Sequence, residues 1–145
     1  MRKHAPLVAL LVVAAAMTGV PTLARQSKDH GPIPWLTSFA KGKKEAAKQK
    51  KPMMVDYYAN WCPPCRAMMA TTYKDKAVVA KAKRFVPVLL DIEKNKKQTE
   101  AANVESIPTI VFYNSHGKEI LRSVGYLEPT DLLKLMDDAI KRAAK

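Results

Sequence analysis

Cys62 and Cys65 are separated only by Pro63 and Pro64, and they are the only cysteines among 145 residues. Two thiols at that spacing can staple a loop, supply half of a metal site, or exchange with another disulfide. A staple gains little here. In the chain-entropy picture, closing about four residues contributes roughly 2 kcal/mol, against nearly 5 for about 100 residues. Structural zinc needs four ligands. The pair would have to recruit carboxylates or His30 and His116, which lie far apart in the chain. Thiol–disulfide exchange is the chemistry that the spacing favours.

The flanking elements suit that chemistry. Residues 53–59 (MMVDYYA) form a short, mostly apolar run with one acid, Asp56, as expected of a buried strand. From 64 to about 71 the pattern turns helical, so the pair sits between a strand end and a helix start. A helix start presents unpaired N–H groups and a partial positive charge, and both stabilise a thiolate. Cys62, just outside the helix, is the expected nucleophile with a lowered pKa; Cys65, less exposed inside the first turn, is the resolving thiol. Helical geometry is disfavoured before a proline, which places Pro63 outside the helix with Cys62. Pro64 fits the first turn. Neither proline has an N–H, so that of Cys65 is the nearest donor to the Cys62 sulfur. This predicts a less acidic Cys62, and a more reducing couple, than in variants with donors there.

Elsewhere, Trp35, Leu36, Phe39 and Ala40, continued by Ala46 and Ala47, predict a helix over 35–49 despite Gly42, stopped by Pro52. Residues 75–85 read as a helix with Val78, Val79 and Ala82 on one side. A strand follows at 86–92, a helix at 96–103, and two strands at 109–113 and 119–124 around a turn. Pro129 starts a last helix whose stripe is Leu132, Leu133, Met136, Ile140 and Ala143, with Lys141, Arg142 and Lys145 at its C-terminal end. The order predicts an α/β fold with a central mixed sheet of about four strands flanked by helices. Parallel strands with crossovers come first and an antiparallel edge later. Trp35 reads as a core anchor, and Met68, Met69 and Met136 as core packing.

With 48% hydrophobic and 26% charged residues, the chain has the composition of one globular domain. Its formal charge of +12 includes six lysines between Lys41 and Lys51 and a second group at Lys94, Lys96 and Lys97. No aromatics are interleaved with these lysines, which argues against nucleic acid. Steering toward an acidic partner or a membrane surface stays open. Met1-Arg2-Lys3-His4, an uncharged run over 5–20 and Thr22-Leu23-Ala24 predict a signal peptide over 1–24. An uncleaved anchor is the alternative. A flexible lead over 25–34 and one domain over 35–145 follow. Removing Arg2 and Lys3 lowers the charge from +12 to +10. Export to the periplasm brings the cysteines into an oxidising compartment.

Trp61-Cys62-Pro63-Pro64-Cys65 resembles the WCxxC active site of the thioredoxin family, and Ser106-Ile107-Pro108-Thr109 resembles its cis-proline loop. The resemblance covers about residues 50–143 and implies a thioredoxin-like fold. It further implies that Asp56, six residues before Cys62, is buried behind the site. Desolvation would raise its pKa, so that it takes the Cys65 proton near neutral pH. It also implies a cis bond before Pro108, a substrate-binding role for Trp61, Ile107, Pro108 and Gly125, and no cofactor. Thioredoxins carry a lysine near the buried acid where this chain has Val88, Leu89 and Leu90. The 51–56 entry and the 68–73 stretch are more similar to periplasmic thioredoxin-like proteins, in particular the C-terminal domain of DsbD-type electron conveyors.

Ile107 before the cis-proline resembles the reductase side of the family. The chain from Arg66 to Ile107 is too short for the insert of DsbA-like oxidants, and the length leaves no room for an isomerase's added domain. The resemblance thus implies a monomeric reductase of disulfides in exported proteins, recharged by a membrane electron conveyor of DsbD type. Oxidase or isomerase activity is an alternative. So is a basic binding module in which the CxxC is not essential.

Overall fold

The computed structural model describes residues 30–145, so the signal read at 1–24 and residues 25–29 of the lead lie outside the described residues. Strand β1 (Met53–Tyr58) and strand β2 (Val86–Asp91) are buried along their whole length and pair in parallel, with Met53 opposite Val86 and Tyr58 opposite Asp91. Continuous burial is what a sheet covered on both faces requires of its strands. Strand β3 (Thr109–Tyr113) joins the other side of β1 antiparallel, and β4 (Glu119–Val124) closes the sheet as an antiparallel edge. The order is β2-β1-β3-β4. This is the four-stranded mixed sheet expected, with β1 at its centre and the cysteines just past its C-terminal end.

Among the described residues, five helices flank it: α1 (Phe39–Gln49), α2 (Pro63–Ala70), α3 (Lys76–Ala82), α4 (Lys96–Ala101) and α5 (Pro129–Ala143), with a 3₁₀ turn at Thr72–Lys74 after α2. On one face, Met68, Tyr73, Val78, Leu132 and Met136 pack against Met54, Leu89, Ile110 and Phe112. On the other, Ala46 of α1 and Ala102 after α4 cover Val55, Tyr57, Val88, Leu90 and Val111. Gly42 lets α1 approach that closely. A Cβ there would fall 2.4 Å from Val88 Cγ2 and 2.9 Å from Met53 Sδ.

The first helix starts later than its apolar spacing predicts. It begins at Phe39, and Ser38 caps it by accepting from the Lys41 N–H at 3.4 Å. Upstream, Leu36 bridges Val88 in parallel; its N–H donates to Pro87 O (3.0 Å) and its carbonyl accepts from Leu89 N–H (2.8 Å). Trp35 and Leu36 are apolar, and apolar residues serve a sheet edge as well as a helix. A local cap at Ser38 decides the boundary. The core also reaches back beyond residue 35, because Ile33 is 2% exposed. Pro32 and Pro34 around it break any period that would have revealed this. Helix α3 is shorter than the 75–85 stretch, because Asp75 is its N-cap, accepting from Ala77 and Val78 N–H.

Candidate active site

Cys62 is the N-cap of α2, with φ −85° and ψ 110°, and its sulfur accepts from the Cys65 N–H at 3.3 Å. The donor left by two prolines is therefore the one in use. Pro63, expected outside the helix, is its first residue. Its ring already holds φ near the helical value, and a first-turn residue loses no intrahelical bond by lacking an N–H. That outweighs the pre-proline preference. Cys62 and Cys65 form a disulfide with a Cα–Cα distance of 5.3 Å. Both are buried, at 2% and 1% exposure, so the expected contrast in exposure is absent while the bond is closed. The Cys62 sulfur lies 3.8 Å from Ile107 O.

The loop before β3 brings the second motif to the first. The Ile107–Pro108 peptide bond is cis. Gly125, just past β4, donates its N–H to Pro108 O at 2.8 Å and has φ +99°, a conformation that glycine adopts without strain. Trp61 is 61% exposed, with Val124 and Tyr126 also exposed on either side of Gly125. Between Trp61 and Ile107 runs a groove of about 310 Å³, completed by Ile92, Val104, Glu105 and Ser106. The structure thus brings together Trp61, Cys62, Cys65, Ile107, Pro108 and Gly125, which are scattered over more than 60 positions in the sequence.

Asp56 lies inside, 1% exposed, on the face of β1 shared by Met54 and Tyr58, whose core cluster includes both cysteines. Leu89 and Ile110 stand opposite it on the neighbouring strands. Its Oδ2 accepts the Tyr73 hydroxyl at 2.8 Å, and Oδ1 has no hydrogen-bond partner among the described residues. Burial raises the carboxyl pKa from 3.8 to about 7, against a smaller lowering by the Tyr73 bond. Sequence reasoning missed Tyr73. It sits in a 3₁₀ turn, which has no amphipathic period, and its partner is 17 residues upstream. A tyrosine just after the CxxC helix was the only available signal.

A family model described as a thioredoxin-like domain matches residues 39–140. The chain belongs to the thioredoxin-like family. Thioredoxin of Chlamydia trachomatis is 31% identical over 84 residues, 58% of this chain and 78% of that protein. The thiol:disulfide interchange protein DsbD of Vibrio vulnificus is 34% identical over 95 residues, 61% of this chain. That match spans only 16% of the DsbD chain. The solution structure of a thioredoxin from Thermus thermophilus superposes with a TM-score of 0.69 at 20% identity, covering 77% of this chain and 89% of that one, and shows the shared fold. A thioredoxin-like domain with a disulfide-forming CxxC at a helix start is a thiol:disulfide oxidoreductase. Among the described residues, no helix is long and apolar enough to cross a membrane.

Proposed function

We propose that this thioredoxin-like domain is an exported, monomeric reductase of protein disulfides. The observation that supports the assignment of roles is Asp56, a buried carboxylate on the face of β1 whose core cluster includes both cysteines, with its pKa raised to about 7. In the reduced protein the Cys62 thiolate attacks a substrate disulfide, forming a mixed disulfide and releasing one substrate sulfur as thiolate. Cys65 then gives its proton to Asp56, and its thiolate attacks Cys62 Sγ. The second substrate sulfur leaves, and the Cys62–Cys65 bond closes. Two electrons pass from the dithiol to the substrate, and the Asp56 proton returns to solvent. Trp61, Ile107, Pro108 and Gly125 hold the substrate strand across the groove.

Three features support the reducing direction. Ile107 precedes the proline, as in reductases that the motif resembles. Among the described residues a single N–H reaches the Cys62 sulfur, so its thiolate is less stabilised than with more donors. The span from Arg66 to Ile107 holds only α3, β2, α4 and the short turns between them after α2 ends. Kinship with a protein named for thiol:disulfide interchange supports a DsbD-type membrane conveyor as the source of electrons. Export rests on the basic, apolar and small-residue pattern of residues 1–24.

The test is reduction of a protein disulfide by the pre-reduced chain. Cys62→Ser is expected to abolish it, and Cys65→Ser to accumulate mixed disulfides with exported proteins. If the pre-reduced wild type reduces no protein disulfide, the basic binding module is left as the function.

A further inference from the structure

Among the described residues Asp56 is held by a single group. Its Oδ2 takes the Tyr73 hydroxyl, whereas the buried Oδ1 has no partner among them. From β2 and β3 it faces Leu89 and Ile110. The shared core adds Val78 and Ala82 from α3 and Leu132 and Met136 from α5, all without charge. In the core cluster on this face, Tyr58 on its own strand, Tyr73 from the 3₁₀ turn, and Cys62 and Cys65 once reduced can titrate, with His30 and Asp91 next to Tyr58. None of the ion pairs among the described residues includes it. Tyr73 is itself tightly placed. It is fully buried, its ring meets that of Trp35 edge-on at 5.0 Å, and the adjacent Thr72 hydroxyl donates to Leu127 O at 2.7 Å. Burial and the neighbouring carboxylate keep its phenol protonated far above neutral pH, so it serves only as a donor.

We propose that Tyr73 is a positioning residue for disulfide exchange: it anchors Oδ2 of Asp56, favours the charged form of the carboxylate, and leaves Oδ1 as the oxygen that takes the Cys65 proton. The inference rests on Asp56 being the proton acceptor. A hydrogen bond to a carboxylate favours its ionised state, and among the described residues, none of whose ion pairs includes Asp56, that bond is what opposes desolvation. As a mixed disulfide on Cys62 resolves, the Cys65 proton moves to Oδ1 and the new S–S bond forms. The partner sulfur leaves as thiolate, and Tyr73 retains its own proton throughout.

The test is a single-turnover reaction of the reduced full chain with 5,5′-dithiobis(2-nitrobenzoate). Attack by Cys62 releases a first coloured thiolate, and resolution by Cys65 releases a second, whose rate is followed against pH. In the wild type the second rate rises with pH through the Asp56 titration. Asp56→Asn removes that rise. Tyr73→Phe displaces it upward by about one pH unit, slowing resolution roughly tenfold on the acid side, with little change at the plateau. Incorporating 3-fluorotyrosine, a stronger donor, displaces it downward; this arm decides the matter if Tyr73→Phe does not fold. If Asp56→Asn keeps the wild-type profile, the assignment of the base fails and this inference with it. If Asp56→Asn removes the rise while the Tyr73→Phe or fluorotyrosine profile stays at the wild-type position, Tyr73 is only structural and the inference is overturned with the base intact.

Discussion

Between pH 3.8 and about 7 the Asp56 carboxyl is ionised in the unfolded chain and protonated in the folded one. The folded state therefore binds more protons across that window. Its stability is greatest below the unfolded pKa and is lost as pH rises through the folded one. From this group alone the oxidised protein is expected to lose about 2–3 kcal/mol between roughly pH 5 and pH 8. Asp56→Asn should flatten that share of the slope, as read by urea unfolding at the two pH values. Unchanged slopes would mean that the carboxylate is hydrated. The cysteines were legible in the sequence because their chemistry shows in residue type and short spacing, and Asp56 drew notice through the resemblance to the WCxxC motif. Tyr73 was not, because a hydroxyl reaching a carboxylate 17 residues away is a product of packing and leaves no local pattern.

At the scale of elements, the start of α2 and the seat of α1 carry opposite lessons. An N-cap side chain accepts from the second or third helical N–H. Pro64 leaves the second empty, and only Cys65 donates to Cys62. Pro64→Ala adds a donor, so it is expected to lower the Cys62 pKa by about half a unit to one unit and make the couple more oxidising. The pH dependence of Cys62 alkylation in the reduced protein measures this. In α1, helix propensity says that Gly42→Ala gains up to about 1 kcal/mol. The added methyl would meet stiff Val88 at 2.4 Å, and overpacking costs about 1–3 kcal/mol, so a net loss of stability in thermal unfolding is expected. Apolar spacing was enough to find α1 and the four strands. It could not place the start of α1, where Ser38 caps and Leu36 joins the sheet edge. Nor could it find Ile33, flanked by prolines yet buried in the core.

Across the whole molecule, charge and chemistry are separate. The lysines of α1 enter none of the ion pairs among the described residues, while α5 pairs Asp131, Asp137 and Asp138 with basic side chains. The positive charge of the described residues is thus largely solvated surface, and the redox pair is buried against the loop that carries Ile107 and Pro108, just past the C-terminal end of β1. Fold and site were legible together because WCxxC and the Ile107-Pro108 loop need each other, and a parallel β1–β2 unit followed by a hairpin is one way to bring them into contact. Direction of electron flow is a property of the whole domain, set by every donor and dipole that favours the thiolate over the disulfide. The reduction potential of the Cys62–Cys65 couple, measured by equilibration with glutathione or a dithiol buffer, therefore tests the central claim most directly. A reductase predicts a value near about −270 mV, as for thioredoxin, and a value near about −120 mV, as for DsbA, would contradict it.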